Sequence, residues 1–198
     1  MTAGYKLKGL FCKPANTNQI LYTTEVAHGK LSFLSLQLAT DLDTIFTWVN
    51  SQYAKTFWQM NGSVQALKAT YKAVLENPHA HAFMVLLNGQ PVGQVDLYQV
   101  GADELKGHIE SVNDNDCGLH LLMLPPKESK KNLALRVLQS FIEWYFAHPA
   151  AGDLYAEPDM ENATANLLAV KAGFNFVKEI QLSSKTANLY CIKPTTVN

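Results

Sequence analysis

The sequence predicts an α/β fold: one domain with a mixed, strongly twisted central sheet, flanking helices and a β-rich N-terminal extension. Three observations predict it. Asn88-Gly89 separates two apolar runs, residues 83–87 and 92–98, and Asn-Gly supplies the positive φ values of a tight hairpin. From residue 119 onward, short strand-like runs alternate with helix-period segments. The chain then closes on a second hairpin, residues 174–182 and 187–192, joined through Ser183-Ser184-Lys185.

Residues 5–38 read as short strands and turns, with Ala27-His28-Gly29-Lys30 as a turn. Leu31, Phe33, Leu34, Leu36 and Leu38 alternate as a half-buried strand does, and the pattern ends near Ala39-Thr40. Thr40 or Asp41 is placed to cap the first helix, whose apolar face carries Leu42, Ile45, Phe46, Trp48 and Val49. Ser63 is placed to cap the second, with Leu67, Tyr71, Val74 and Leu75 inward and Asn77-Pro78 as its stop. The Gly-, Asp- and Asn-rich stretch 101–117 is expected to be an excursion with a short extended segment. A central strand at 119–124 stops at Pro125-Pro126. A helix over 131–147 buries Leu133, Val137, Leu138, Phe141, Ile142 and Tyr145. Leu154-Tyr155-Ala156 reads as a strand, and residues 162–172 as a helix that Gly173 ends at a C-cap. No repeat, low-complexity tract or linker divides the chain. It is expected to be one domain over 1–198, with 1–39 the β-rich portion and 40–193 the remainder.

Composition excludes several classes. The 198 residues are 47% hydrophobic and 17% charged with a net charge of -1, so no basic excess points to nucleic acid. No apolar run approaches the roughly 20 residues of a membrane span, and no signal peptide is evident. Cys12, Cys117 and Cys191 lack CxxC spacing and read as thiols of a reducing compartment, the cytoplasm. The six histidines are scattered, which argues against a metal centre. Nothing chooses between monomer and homodimer.

Two segments carry the chemistry. Gly118-Leu119-His120-Leu121-Leu122 and Glu157-Pro158-Asp159-Met160-Glu161-Asn162 each set polar groups at the end of a strand-like run, so His120 and Asp159 are expected to meet across a cleft. Imidazole suits proton transfer because its ordinary pKa lies near neutrality. The competing readings are a structural histidine for His120 and a turn or helix cap for Asp159. Asp96 and Tyr98 share a strand face and can line an acceptor pocket, and Trp58 is read with nearly equal force as pocket wall or core. Cys117 adjoins the site, but no Cys-His-Asp spacing makes it a nucleophile.

Taken in order, these segments resemble the GNAT acyl-CoA N-acyltransferases. The resemblance covers about 40–193 and is carried by Trp48-Val49-Asn50, Phe57-Trp58-Gln59-Met60-Asn61-Gly62, Pro91-Val92-Gly93, the two segments above and Ala172-Gly173-Phe174. It is strongest to the siderophore branch that acylates hydroxylated amines such as N-hydroxylysine, and looser to aminoglycoside N-acetyltransferases. The resemblance implies acetyl-CoA or another acyl-CoA as co-substrate and a V-shaped opening beside the central strand. It also implies His120 and Asp159 as catalytic residues, and Trp58, Gln59, Asn61, Asp96 and Tyr98 on the acceptor side. The cofactor side would hold Leu122, Leu124, Ser129, Lys130, Lys131, Asn132, Asn162 and Asn166, with capping the competing reading for the last two. The sequence departs from the family at 127–134, where the glycine-rich phosphate loop is replaced by a segment without glycine. The leading expectation is acyl transfer, with acetyl the expected group, to the hydroxylated nitrogen of a small amine. An ordinary amine or aminoglycoside is the first alternative, and a non-catalytic CoA-binding protein the second.

Overall fold

A computed structural model describes residues 10–11, 19–58, 60–124 and 130–194. Among these residues, eight strands form one sheet in the order β1-β2-β3-β4-β5-β6-β8-β7. They are β1 (Ile20–Val26), β2 (Gly29–Ser35), β3 (Ala80–Leu87), β4 (Gln90–Gln99), β5 (Cys117–Met123), β6 (Leu154–Ala156), β7 (Asn175–Gln181) and β8 (Thr186–Ile192). Among the described residues the α-helices are α1 (Leu38–Val49), α2 (Gln52–Lys55), α3 (Val64–Glu76), α4 (Leu133–Phe146) and α5 (Ala163–Ala172). Among the described residues, neighbouring strands are antiparallel except β5 and β6.

The local signals act as their chemistry requires. Asn88 and Gly89 take φ values of 50° and 80°, turning β3 tightly into β4. Ser63 accepts from the Ala66 N–H at 3.2 Å and starts α3. Gly173 takes φ 107° and ends α5. Leu133, Val137, Phe141 and Tyr145 put one face of α4 into the core, against Phe33 and Phe83 of the sheet.

Two expectations need correction. The first helix begins at Leu38 rather than after Thr40 or Asp41, with Gln37 at its N-cap. Asp41 still caps it, from inside: its Oδ2 accepts from the Gln37 N–H at 2.8 Å. The strand reading of Leu36 and Leu38 fails because this cap turns the chain. The 101–117 excursion holds two 3-10 turns, Val100–Ala102 and Glu104–His108, instead of an extended segment. Asp103 nucleates the second by accepting from the Leu105 N–H at 2.9 Å. The expected stop at Pro125-Pro126 lies outside the described residues. Among the described residues, no helix is long and apolar enough to cross a membrane.

Candidate active site

β5 and β6 pair only at Cys117↔Leu154 and Gly118↔Tyr155, and then part. A cavity of about 460 Å³ opens there. Strand periodicity decides what faces it. Side chains two residues apart share a sheet face, so His120 follows Gly118 and Glu157 follows Tyr155 on either side of the fork. Where the backbones separate, the side chains bridge: His120 Nε2 and Glu157 Oε1 are 2.6 Å apart. β4 completes the face, because Asp96 lies opposite His120 and Tyr98 opposite Gly118.

Gly118 is required by this packing. A Cβ there would lie 2.1 Å from Tyr98 Cζ, so the phenol crosses the strand only where no side chain stands. Lying across the glycine, the Tyr98 ring comes within 5.0 Å of the His120 ring, centroid to centroid. Its hydroxyl donates to Glu157 Oε2 at 2.9 Å. Lys185, in the β7–β8 turn, brings Nζ within 3.8 Å of Glu157 Oε1. One buried carboxylate therefore serves a histidine, a tyrosine and a lysine.

The electrostatics follow. Burial by itself would raise the Glu157 pKa, but His120, Lys185 and the Tyr98 hydroxyl together hold it below the usual value. Burial works in the other sense on His120 and would lower it. The charge and hydrogen bond of Glu157, with the Asp96 charge, outweigh that and raise it, while Lys185 opposes them. The imidazole also opens on the cleft, with 43% of its side chain exposed, so water relieves part of its desolvation. Asp96 is raised to about 6, chiefly by burial, against the lowering pull of His120 and of Gln94. Gln94 Nε2 donates to Asp96 Oδ1 and its Oε1 accepts from the Tyr71 hydroxyl, a buried relay behind the site.

The cavity is lined by Trp58, Asp96, His120, Glu157, Asp159, Asn162 and Lys185, among others. Trp58 meets His120 edge-on at 6.3 Å, and its indole N–H is buried without a partner among the described residues. Asn61 is exposed and stands outside the lining, where Phe57 and Met60 take its place. Gln59 lies outside the described residues.

The expected His120–Asp159 pair is not formed. Asp159 lines the cavity, but its Oδ1 accepts from the Glu161 N–H at 2.8 Å. The carboxylate that holds the imidazole is Glu157, in phase with β6, whereas Asp159 lies past the strand in the turn that leads to α5. Lys185 was also missed, since a turn residue carries no periodic signal. Cys117 is buried and its thiol is pushed up to about 11, chiefly by desolvation, which disfavours a thiolate.

On the cofactor side, Leu122 and Leu124 do not fit the role the resemblance implied. Leu124 N–H donates to the Val92 carbonyl, and the pairing holds without a register shift through Leu122. The backbone groups of these even-numbered residues therefore turn to β4, and their side chains are buried. The odd-numbered groups face the fork. Cys117 N–H donates to the Asp153 carbonyl at 3.0 Å and the Gly118↔Tyr155 pair occupies Leu119 N–H as well, which leaves Leu121 and Met123 beyond the pairing as the residues whose backbone faces the cleft. Asn166 is likewise occupied: its amide donates to the carbonyls of Asp159 and Asn162, and its Oδ1 accepts from Asn188 and Tyr190. Asn162 caps α5, with its Oδ1 accepting from the Ala165 N–H, while still lining the cavity. Lys130 and Lys131 are exposed before α4, and Ser129 lies outside the described residues. Asn132 takes φ 60° and ψ 13° at the N-cap of α4, the left-handed region that glycine enters most easily. Asparagine tolerates that left-handed conformation better than most side chains.

A sheet forked between two parallel strands with a histidine–carboxylate pair inside the fork makes an open cleft equipped for proton transfer. The description of the acetyltransferase (GNAT) domain matches residues 37–182, and the chain belongs to that family. It is an acyl-CoA-dependent acetyltransferase acting on an amine, with acetyl-CoA or a related acyl-CoA as co-substrate. The chain is 26% identical over 155 residues to N-hydroxyputrescine acetyltransferase of Acinetobacter baumannii, covering 77% of this chain and 73% of that protein. It is 23% identical over 146 residues to aminoglycoside N(6')-acetyltransferase type 1 of Klebsiella pneumoniae, covering 71% and 72%. A solved structure of aminoglycoside acetyltransferase AAC(6')-Ib with coenzyme A superposes with a TM-score of 0.74 at 19% identity, covering 82% of this chain and 94% of that one.

Proposed function

We propose that the protein acetylates the nitrogen of a small polycationic amine, such as a diamine, a polyamine or an aminoglycoside. The observation that carries this reading is the charge of the cleft. Asp96, Asp103, Glu104, Glu157 and Asp159 line it, opposed by Lys185 and His120. Such a wall favours a substrate with more than one ammonium group. The free thiols Cys117 and Cys191 support a reducing compartment such as the cytoplasm.

Acetyl-CoA supplies an acetyl group activated as a thioester: the new N–C bond forms, the S–C bond breaks, and the CoA thiolate leaves with the proton that the nitrogen sheds as the amide forms. The residues that fit its pyrophosphate are Ala134 and Leu135, whose backbone amides follow Leu133 in the first turn of α4; the Leu133 N–H itself donates to the Lys130 carbonyl at 3.0 Å. The backbone of Leu121 and Met123 fits its extended arm. An alkyl ammonium must lose a proton before its nitrogen can attack. His120 Nε2 is committed to Glu157, so the proton enters at Nδ1, and Glu157 stabilises the imidazolium that results. Trp58 closes the cleft over the imidazole. Asp96 and Asp159 hold the remaining positive charge of the acceptor.

A second reading, the hydroxylated nitrogen of a diamine or of lysine, is favoured by the A. baumannii relative, whose name specifies N-hydroxyputrescine. Such a nitrogen is a weaker base and enters largely neutral, so positioning matters more than proton removal. The test pairs each amine with its hydroxylated form: putrescine and N-hydroxyputrescine, lysine and N6-hydroxylysine, with kanamycin alongside. Thiol release and product mass are followed with acetyl-CoA. Higher kcat/KM for the parent amines or kanamycin supports the first reading, and higher values for the hydroxylated partners support the second. Turnover of none of them, with several acyl donors, overturns both.

A further inference from the structure

The β1–β2 hairpin lies outside the stretch that matches the family, residues 37–182, yet it reaches the helix that opens the cofactor side. Ala27 and His28 form its two-residue turn, between the paired Val26 and Gly29. The turn is held from behind by the neighbouring hairpin. Asn88 Nδ2 donates to the His28 carbonyl at 3.1 Å, and Asn88 Oδ1 accepts from the Lys30 N–H at 2.9 Å. Gly29, with φ 121°, leaves room for that clamp, since a Cβ there would lie 2.2 Å from Asn88 Oδ1. Thus braced, His28 sets Nε2 2.9 Å from the carbonyl oxygen of Lys131, a residue 103 positions away. A carbonyl only accepts, so Nε2 carries the hydrogen. Tyr22, Phe33 and Phe141 form a run of tilted ring contacts, with centroids 5.9 Å apart at each step, that ties the hairpin to the body of α4.

The Lys131 carbonyl belongs to the peptide that enters Asn132, the residue held in the left-handed conformation at the N-cap of α4. A non-glycine residue stays there when its surroundings over-determine it. Among the described residues, His28 supplies such a constraint from outside the helix.

We infer that His28 is a positioning residue for the acyl-CoA: by holding the Lys131–Asn132 peptide, it aims the α4 amides that follow Leu133 at the phosphates of the cofactor. The inference rests on the reading that these amides hold the pyrophosphate. The hairpin is then part of the cofactor site and not only an added edge of the sheet. Removing the imidazole lets the peptide rotate, and the helix start loses its aim. Cofactor affinity falls while the acyl-transfer step, built on β4, β5 and the residues after β6, keeps its geometry.

The experiment compares wild type, His28→Ala and His28→Gln. It measures CoA binding by calorimetry, and kcat and KM with two donors, acetyl-CoA and S-acetylpantetheine, the second of which lacks the pyrophosphate. His28→Ala is expected to raise Kd for CoA and KM for acetyl-CoA roughly three- to tenfold, the loss of one hydrogen bond, without a matching fall in kcat. His28→Gln retains an N–H donor and recovers most of the affinity. With S-acetylpantetheine the Ala variant and wild type behave alike. Unchanged CoA affinity in His28→Ala, or an equal defect with both donors, overturns the role of His28. Wild-type affinity for CoA no greater than for pantetheine overturns the pyrophosphate reading itself, and the inference with it.

Discussion

At the scale of single residues, the site is organised by Glu157, whose carboxylate meets His120, Tyr98 and Lys185. His120→Ala is expected to lower kcat/KM about 10²- to 10⁴-fold, the usual weight of general acid–base catalysis. The fold should survive, because that side chain is 43% exposed; the near-ultraviolet circular dichroism of the variant checks this. Glu157→Gln tests the pairing. The glutamine oxygen can still accept from Nε2 but carries no charge, so the main upward influence on the His120 pKa is removed. A base must be neutral to act, and in wild type kcat/KM should therefore rise with pH through an apparent pKa above the usual imidazole range of about 6.5. In Glu157→Gln that rise should move to lower pH. An unmoved profile would mean that Glu157 does not govern the titration of His120. His120 was legible in the sequence because a polar residue inside an apolar strand stands out. Glu157 was not singled out, although it sits in the same motif as Asp159. The decisive information was its phase with Tyr155, and phase means nothing until the strand pairing is known.

At the scale of elements, the sequence revealed most of what local chemistry decides: the Asn88-Gly89 turn, the Ser63 cap, the Gly173 stop and the apolar face of α4. It could not reveal where pairing ends. β5 and β6 share two residue pairs before they part, and no local motif marks that point. The same blindness put cofactor contacts on Leu122 and Leu124, one residue out of phase with the backbone groups that face the fork. Gly118 shows how closely the elements depend on one another here, because the Tyr98 ring occupies the space of its missing side chain. Gly118→Ala should cost about 1–3 kcal/mol, the usual range for overpacking a tight core. It should also lower kcat by displacing Tyr98 from Glu157. Urea unfolding together with steady-state kinetics separates the two effects. Tyr98→Phe is the companion variant, since it keeps the ring over Gly118 and loses only the hydroxyl bond. A Gly118→Ala protein as stable as wild type would show that Tyr98 moves aside without penalty.

At the scale of the whole molecule, the sheet carries a titratable group through its middle. Asp96 lies on the fourth of eight strands, only 8% exposed, and its pKa rises from the usual 3.8 to about 6. Between those values the folded protein still holds the proton that the unfolded chain has released. Stability must then fall as pH climbs through that window. A shift of this size corresponds to about 3 kcal/mol. Two neighbours titrate as well, with other signs. The lowered Glu157 pKa adds stability as pH rises through the ordinary glutamate range, and the raised His120 pKa removes it as pH climbs past the ordinary histidine range. The wild-type profile alone is therefore a sum, and Asp96→Asn removes the Asp96 part of it together with the lift that the Asp96 charge gives His120. Asparagine keeps an oxygen for the Gln94 amide but has no proton to lose. Unfolding free energies from urea titrations at pH 4, 5, 6 and 7 should show the variant gaining on wild type by about 2 kcal/mol across the series, nearly all of it by pH 6 to 7. Parallel curves would mean that Asp96 is solvated by the cleft and ionises as it does in water. A gain in stability that accompanies a loss of activity would instead identify this buried carboxylate as a group retained in the sheet for the reaction at a cost to the fold.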